Sequence, residues 1–421
     1  MAEDRDEVSH ATHSIPRGFT WGATRAGIKA SGNPDLTVAT APPGATAAVM
    51  FTSNLVVAAP IIVGRRHVAA TGGRVRTVLV NSGNANCATG EPGIQGCLST
   101  CVAAAETFGC IFDEVLPSST GIIGVPFPAE KVVAAMPALK AAAGDTPAHA
   151  ESFARGIMTT DTRLKMASAV IPVNGPASSA QKEVRSEITI WGCAKGAGMI
   201  GPKLGPPHAT MLVYLFTDVA AEPAQLRSAL AAAAEPSFNS ISIDGDTSTN
   251  DTLLLLASGA SGIVLTRELT PAFDDALAQV CHSLARQIVA DGEGVTHVVT
   301  LDVRGAASND DARRVARAIA HSPLCKTAWS SGDPNWGRLM AAAGYSGASF
   351  SPEQTRIWIG DQPVFEYGLR APAFDEAAAH AVMTLPEYTI TIDLGPGPGT
   401  SRFLTCDLTA EYVRINADYS T

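Results

Sequence analysis

One stretch of the sequence, Lys195 to Asp218, most constrains what the chain can fold into. It begins with a glycine-rich loop, continues through the adjacent prolines Pro206 and Pro207, and ends in an apolar run from Met211 to Phe216. Proline fixes its own φ angle, removes a backbone donor and restricts the residue before it, so the middle of the stretch cannot be helical. A short apolar run bounded by turn residues is typical of a buried strand. The stretch therefore predicts a constrained loop that leads directly into a buried strand.

Thr210 stands where this loop enters the strand. A threonine hydroxyl is a weak nucleophile unless a base lies within hydrogen-bond reach, and one solution is a threonine that becomes a new N-terminus and uses its own α-amine as the base. That solution requires Thr210 Oγ1 to attack the carbonyl carbon of Ala209 and break the Ala209–Thr210 bond. The alternative is a loop threonine that caps the strand, and the local residues taken alone favour that alternative.

The motifs around Thr210 resemble those of a known family. KGAGMI and HATML are similar to the processing motif of the ornithine acetyltransferase (glutamate N-acetyltransferase) family, bifunctional enzymes of arginine biosynthesis that cut themselves before a threonine. Further motifs of that family, DGDTSTND, SPL-KTA and DPNWGR, follow in the same order within Gly18 to Thr421. The GPKLGPP segment before His208 is longer than in the common bacterial form and resembles fungal members.

The composition limits the class of protein. A length of 421 residues allows one large domain or two to three ordinary domains. The formal net charge of -10 argues against binding to nucleic acid or to an anionic membrane surface, and no apolar run approaches the roughly 18 residues that a membrane span needs. The cysteines form no CxxC pair and the histidines no HxxxH. We therefore expect no metal, and a reduced compartment.

The order of the predicted elements indicates the fold class. Helical and strand patterns mix without a strict βαβ rhythm, and no GxxxxGK[ST] phosphate loop is present. This pattern predicts a layered α+β architecture. The resemblance implies more: a layered αββα sandwich over residues 15–290, which contains the cleavage site, and a smaller C-terminal α/β domain over residues 291–421, whose tail returns to the active site. Residues 1–14 are polar and acidic, and we expect a disordered tail.

Thr120 and Gly121 follow a proline and precede a short β-branched run. The residues alone favour a turn at this point. In the family, the matching Thr-Gly pair forms the oxyanion hole, so the resemblance implies that Thr120 and Gly121 donate hydrogen bonds to the negative charge that develops on the substrate carbonyl. Removing one such donor typically costs about 3–4 kcal/mol of transition-state stabilisation.

The resemblance also implies a set of substrate contacts. The hydroxyl-rich segment GIMTTDTRLK suits a polar amino-acid substrate, although it is equally suited to a helix N-cap. A glutamate between two glycines after a helix is usually part of a C-cap turn, yet the family uses it to contact substrate. The substrate contacts that the resemblance implies are Thr159, Lys195, Thr210, Glu293, Asn416 and Thr421. From their charges we expect Glu293 to receive the side-chain ammonium of ornithine and Lys195 to receive a carboxylate.

The acidic segment ISIDGDTSTNDT invites a second interpretation, a calcium site made by Asp244, Asp246 and Asp251. The EF-hand pattern fails because no glutamate follows at the required position. In the family this segment lies near the active site without a metal, and we predict none here.

The resemblance implies ping-pong acetyl transfer from N-acetylornithine to glutamate through an acetyl-Thr210 intermediate. Chains 1–209 and 210–421 would form a heterotetramer with two copies of each. No cofactor is expected, and acetyl-CoA is left open as a further acetyl donor. Two alternatives remain: a self-processed amidase or aminopeptidase that uses water as acceptor, and an uncut, non-catalytic binding protein. The long loop favours the mitochondrial matrix, whereas the acidic N-terminus lacks a transit-peptide pattern and leaves the cytoplasm open.

Overall fold

The computed structural model describes residues 13–173, 186–201 and 211–418. Its strands, in chain order, are β1 (Thr20–Thr24), β2 (Leu36–Thr40), β3 (Thr46–Phe51), β4 (Thr77–Asn84), β5 (Val115–Ile122), β6 (Lys165–Val173), β7 (Ser186–Lys195), β8 (Leu212–Thr217), β9 (Thr252–Ala257), β10 (Val298–Ala306), β11 (Arg356–Ile359), β12 (Gln362–Glu366), β13 (Leu369–Arg370), β14 (Glu387–Asp393) and β15 (Gly399–Cys406). Its α-helices are α1 (Ala59–Thr71), α2 (Gly90–Phe108), α3 (Ala129–Ala141), α4 (Pro147–Gly156), α5 (Pro223–Ala234), α6 (Thr270–Ala290), α7 (Asn309–Ala320), α8 (Pro323–Ser331), α9 (Trp336–Gly344), α10 (Glu376–Met383) and α11 (Ala410–Asp418).

The strands form three sheets. The first has the order β1-β2-β4-β5, the second β3-β9-β8-β7-β6, and the third β13-β12-β11-β14-β10-β15. Each sheet contains one parallel pair, which is β4 with β5, β8 with β9, and β10 with β14. The described parts of the chain therefore combine parallel and antiparallel pairing, as an α+β fold does.

The first two sheets pack face to face, and aromatic side chains fill the space between them. Trp21 of the first sheet meets Trp191 and Phe216 of the second, with ring centroids 5.6 Å and 5.7 Å apart. Strand β8 shows why its sequence is apolar throughout. Leu212, Tyr214 and Phe216 face this inner core, while the alternate residues Met211, Val213 and Leu215 face helices on the other side. Side chains alternate along a strand, so a strand buried on both faces is continuously apolar.

Helices cover the outer faces of the two sheets. Helices α2 and α3 pack on the first sheet, where Cys101 and Val132 join the core around Val38. Helices α5 and α6 pack on the second sheet, where Leu226 and Leu284 join the core around Leu215. The layers therefore run helix, sheet, sheet, helix, and the predicted αββα sandwich is confirmed.

The third sheet carries a separate hydrophobic core. Leu301 of β10 and Ile390 of β14 pack with Ile319 of α7 and Trp329 of α8. The sheet is joined to the sandwich near β15, where Leu404 forms a bridge with Ile241. The exact boundary between residues 290 and 291 stays a prediction. Within the described ranges, no helix combines the length and the apolarity that a membrane crossing requires.

Local structure differs from the sequence-based expectation at Thr120 and Gly121. The turn favoured at Thr120 and Gly121 is wrong, because both residues lie inside β5 and pair with β4. Helix α1 begins within the apolar run Leu55 to Val63, and the apolar pattern of this run alone does not distinguish a helix from a strand. Pro60 lies in the first turn of α1, where a missing backbone donor costs little.

Candidate active site

The predicted functional residues that the structure describes all line one cavity. The cavity has a volume of about 200 Å³ and lies where β5 and β7 end and β9 begins. The predicted residues in its wall are Thr120, Gly121, Thr159, Lys195, Glu293 and Asn416. Thr210, Ala209 and Thr421 lie outside the described residues. Met211, which follows Thr210 in the chain, is described and is part of the cavity wall.

A close approach of two strands fixes the backbone at Gly121. Gly83 of β4 is paired with Gly121 of β5, and the register shifts immediately afterwards, at Asn84. The φ angle of Gly121 is 131°, and a Cβ atom there would lie 2.3 Å from the carbonyl carbon of Gly83. Only glycine fits both constraints. A glycine inside an apolar strand is the sequence signal for such an irregularity.

Lys195 ends β7 and points its ammonium at the Thr-Gly pair. Lys195 Nζ donates a 3.0 Å hydrogen bond to Thr120 Oγ1. An ammonium group only donates, so Thr120 Oγ1 is the acceptor of this bond and its own hydroxyl proton stays free. Burial lowers the pKa of the Lys195 ammonium, and Lys165 lowers it further. The carboxylates that oppose these two effects are Asp161, Asp251 and Glu293.

Asn250 joins the two sheets of the sandwich at the cavity. It precedes β9 of the second sheet, and its Nδ2 donates to the carbonyl oxygens of Ala85 and Ser119, at 2.6 Å and 2.9 Å. Both acceptors belong to the first sheet or to the segment directly after it. Asn250 is buried, so its amide stabilises the relative position of the strand ends that form the wall.

Glu293 and Asp244 make one side of the cavity acidic. Glu293 Oε2 accepts a 2.9 Å hydrogen bond from Asn416 Nδ2. Asp244 accepts hydrogen bonds from the backbone N–H groups of Met199 and Ile200, at 2.6 Å and 2.8 Å. Burial raises the pKa of the Asp244 carboxyl, although these N–H groups act in the opposite direction. This side suits a cationic group.

Met199 adopts a strained backbone conformation beside this acidic side. Its φ angle is 56°, in the left-handed region that residues other than glycine seldom adopt. The hydrogen bond from its N–H to Asp244 helps to hold that conformation. Strain of this kind persists only where the surrounding contacts fix it, and it is concentrated at functional sites.

Helix α11 brings Tyr412 into the cavity together with Asn416. Tyr412 Oη donates a 3.3 Å hydrogen bond to Asp244 Oδ2. The helix is anchored at its start, where Thr409 Oγ1 donates to the carbonyl oxygen of Gly294 at 2.7 Å. Tyr412 is not among the site residues that the sequence predicts. Its spacing of four from Asn416 places both on one face of a helix, and that spacing is the signal that was available.

Asp251 is a buried carboxyl group in the cavity wall. It is 2% exposed, and its Oδ2 atom has no hydrogen-bond partner within the described residues. Burial raises the pKa of this carboxyl well above its ordinary value, while Ser248, Lys195 and Thr52 act in the opposite direction. No three His, Cys, Asp or Glu side chains converge as metal ligands in the part of the chain that the structure describes.

The fold and the cavity together define a class of protein. A concave site between two sheets, with a few convergent polar groups and titratable residues of shifted pKa, is typical of an enzyme that acts on a small polar molecule. The lysine and the acidic side can bind opposite charges. The Thr-Gly strand end supplies hydrogen-bond donors between them.

Comparison with known proteins gives the family. Residues 20–421 match the ArgJ family. The chain is 44% identical over 407 residues to the arginine biosynthesis bifunctional protein ArgJ of Thermus thermophilus, covering 97% of this chain and 99% of the relative. It is 43% identical over 405 residues to the protein of the same name from Chlorobaculum tepidum, covering 96% of each. The chain therefore belongs to the ArgJ family, and the prediction of an acyltransferase is confirmed.

A solved structure of a relative is also similar. The crystal structure of the arginine biosynthesis bifunctional protein argJ from Bacillus halodurans is 39% identical, covers 50% of this chain and 100% of its own, and has a TM-score of 0.47. The relatives named here are bacterial. They give no support to the mitochondrial location that the long loop suggests.

Proposed function

We propose that this protein transfers an acetyl group from N-acetylornithine to glutamate in arginine biosynthesis. Membership of the ArgJ family supports the pathway. The observation that carries the proposal is the convergence of Thr120, Lys195 and Glu293 on one cavity, next to Met211. Because Met211 is joined to Thr210, the hydroxyl of Thr210 is the nucleophile that this cavity would receive.

The proposed chemistry begins with self-cleavage, in which Thr210 Oγ1 attacks the carbonyl carbon of Ala209, the peptide carbon–nitrogen bond breaks, and water hydrolyses the resulting ester to leave the Ala209 carboxylate and the free Thr210 α-amine. The freed α-amine of Thr210 then takes the proton from its own Oγ1, which attacks the acetyl carbonyl carbon. The carbon–nitrogen bond of N-acetylornithine breaks, ornithine leaves with the proton, and an acetyl ester remains on Thr210. The amino group of glutamate attacks that ester, which gives N-acetylglutamate and restores the free hydroxyl.

The donors of Thr120 and Gly121 would bind the oxyanion in both half-reactions. Lys195 occupies one acceptor position of Thr120 Oγ1, which leaves the hydroxyl proton of Thr120 for the oxyanion. Donors fixed in advance stabilise the transition state because they need no reorganisation as charge develops. Gly121 would donate to the oxyanion through its backbone N–H.

The ends of the substrate would bind to opposite charges. Lys195 would receive a carboxylate, and Glu293, held by Asn416, would receive the side-chain ammonium of ornithine. Thr159 lines the same cavity and would make a further contact. Thr421 is proposed as a contact on the resemblance alone. The proposed reaction uses no cofactor. An assay with acetyl-CoA and glutamate as the only substrates tests whether acetyl-CoA is also an acetyl donor.

The substitution Thr210→Ala tests the proposal. Wild-type protein should give two chains by intact mass, the second beginning at Thr210, and a native mass equal to two copies of each. Thr210→Ala should give one uncut chain without measurable acetyl transfer. A Thr210→Ala protein that is cut and active would contradict the mechanism.

Release of acetate without glutamate, compared with release of N-acetylglutamate when glutamate is present, separates transfer from hydrolysis. Transfer should dominate. The bacterial relatives favour the cytoplasm over the mitochondrial matrix as the compartment.

A further inference from the structure

Asp161 lies behind the cavity wall and joins two segments of it. Its carboxylate accepts hydrogen bonds from the backbone N–H of Gly196 at 2.7 Å and from that of Thr159 at 3.0 Å. Gly196 directly follows Lys195, while Thr159 is itself part of the wall. The Asp161 side chain is 0% exposed. One buried carboxylate therefore fixes both the segment that carries Lys195 and the segment that carries Thr159.

A buried ion-pair network surrounds Asp161. Lys165 Nζ donates to Asp161 Oδ1 at 2.5 Å and also to Asp291 Oδ2. Asp291 in turn accepts a 3.1 Å hydrogen bond from the backbone N–H of Thr162. Buried charges persist only when they are paired and hydrogen-bonded, and here two carboxylates share one lysine. The network has one negative charge more than Lys165 neutralises, and both Lys195 and Lys29 are cations that interact with Asp161.

The titration of the two groups is consistent with this arrangement. Burial alone would raise the pKa of Asp161, but Lys165, Lys195 and the N–H of Gly196 outweigh it and lower the pKa, so Asp161 is ionised at neutral pH. Burial lowers the pKa of Lys195, and among its neighbours Asp161 raises that pKa the most. The charged groups that act on Lys195, or on which it acts, are Asp161, Asp251, Lys165, Glu293 and Lys29.

We propose that Asp161 is a positioning residue for the transfer reaction, which holds Lys195 in place and keeps it charged so that it can receive a substrate carboxylate. The inference rests on the proposed function, since it needs Lys195 to bind a carboxylate. A neutral lysine has no charge to offer that group. Loss of the Asp161 charge should therefore weaken substrate binding most at the pH values where Lys195 loses its proton.

The substitution Asp161→Asn tests this role in the full-length enzyme. Asparagine keeps an oxygen that can accept the Gly196 N–H but removes the charge. We measure kcat and KM for N-acetylornithine from acidic pH up to the highest pH at which the enzyme stays folded, because the lowered pKa of Lys195 moves its loss of charge toward neutral pH. In Asp161→Asn, the alkaline limb of the kcat/KM profile should shift to lower pH by about one pH unit. The change should lie mainly in KM, and activity should return on acidification.

Asp291→Asn is the matched control. It removes the other carboxylate from Lys165 but no hydrogen bond to the Lys195 segment. If Asp161 acts as proposed, Asp291→Asn lowers activity or stability at every pH and leaves the alkaline limb near its wild-type position. Equal shifts of the limb in both variants would overturn the proposal. A uniform decrease of kcat/KM at all pH values in Asp161→Asn, without a shift of the limb, would also overturn the proposal.

Asp161→Glu keeps the test decisive if Asp161→Asn does not fold. It retains the charge and displaces it by one methylene, so activity should fall while the alkaline limb stays in place. A limb that moves in Asp161→Glu would contradict the proposal. Intact mass of each variant reports self-cleavage independently. An uncut or inactive wild-type enzyme would reject the proposed function itself, whereas a processed, active wild type with an unmoved Asp161→Asn limb rejects only the role of Asp161.

Discussion

Individual residues of the cavity are constrained by partners that are distant in the sequence. Asn250 donates to Ala85 and Ser119, and Asn416 donates to Glu293. Each bond joins parts of the chain that only the tertiary fold brings together. Backbone geometry is constrained in the same way, since the glycine requirement at Gly121 arises from Gly83 on the neighbouring strand.

Gly121→Ala should damage the site more than its small size suggests. The new Cβ atom would lie 2.3 Å from the Gly83 backbone, and the alanine would have to adopt a φ angle of 131°. Strand β5 must therefore shift, and the proposed oxyanion donors move with it. We expect kcat to fall by about 100-fold to 1,000-fold, the cost typical of a lost oxyanion donor. Steady-state kinetics of the processed enzyme measure this.

Gly124→Ala provides the matched control for this strain. Gly124 has a φ of 81°, and its Cβ position has no atom within 4 Å. The substitution should cost roughly 1 kcal/mol of stability for the left-handed backbone and leave kcat near the wild-type value. Equal losses of kcat in the two variants would show that backbone strain alone, without displacement of β5, accounts for the effect.

The sequence predicts part of this site, for identifiable reasons. The resemblance identifies Thr120, Gly121 and Lys195 because they stand in motifs whose residue types can be matched. The site roles of Asp161 and Tyr412 were not predicted, because the contacts of these residues with Gly196 and Asp244 depend on how separate segments pack. Neither the TTDT segment nor a single tyrosine in a C-terminal helix signals such a contact by itself.

At the scale of elements, strands that are buried on both faces were easy to predict, whereas a short helix within an apolar run was not. The apolar runs of β8 and β9 are buried on both faces, so their sequences carry a strong strand signal. Helix α1 begins within an apolar run of similar length, and periodicity cannot separate a short buried helix segment from a strand. Helix α11 buries no residue fully, and polar contacts at Thr409, Tyr412 and Asn416 hold it.

Asn416→Ala should weaken substrate binding through Glu293. The change removes the amide that donates to Glu293 Oε2 at 2.9 Å, so the carboxylate loses its fixed position for the ammonium of ornithine. A hydrogen bond to a charged group contributes about 1.5–3 kcal/mol, which corresponds to an increase in KM of about 10-fold or more. We expect kcat to change little, because the contact is remote from the acetyl group.

Arg414→Ala tests whether the effect belongs to the helix as a whole. Arg414 lies on the same helix, pairs with Glu411, and its side chain is 64% exposed. Exposed ion pairs contribute little to stability, so KM for N-acetylornithine should stay at the wild-type value. An equal rise of KM in Arg414→Ala would mean that disturbing α11 anywhere is sufficient, and that Asn416 has no specific role.

At the scale of the whole molecule, layers with largely apolar interiors enclose a cavity that retains a buried carboxyl group. The inner core around Trp21 and Phe216 stabilises the sandwich, since each fully buried large side chain contributes about 1.5–3 kcal/mol. Asp251 acts against that stabilisation because burial disfavours the charged form of its carboxyl group. A polar group kept at such a cost is typical of a functional site, where stability is given up for activity.

The pH dependence of stability should reveal this cost. Burial raises the pKa of Asp251 in the folded protein, so its contribution to stability is complete below the pKa of the unfolded chain. As the pH rises from about 4, the unfolded chain ionises Asp251 before the folded protein does, and that contribution is lost progressively until the folded pKa is passed. Asp251→Asn removes this titration. The melting temperature of the variant minus that of the wild type should therefore increase from about pH 4 to neutral pH, by a few degrees.

The slope of this difference is the informative quantity. Asparagine introduces a buried amide whose own hydrogen-bonding cost does not depend on pH, so it changes the level of the curve but not its slope. Asp246→Asn, an exposed carboxyl in the same segment, controls for the loss of one negative charge. A difference curve for Asp251→Asn that is flat, or that runs parallel to the Asp246→Asn curve, would mean that Asp251 ionises as readily in the folded protein as in the unfolded chain. In that case the charge of the buried carboxylate would be compensated in the folded protein, and Asp251 would not be a source of lost stability at the cavity.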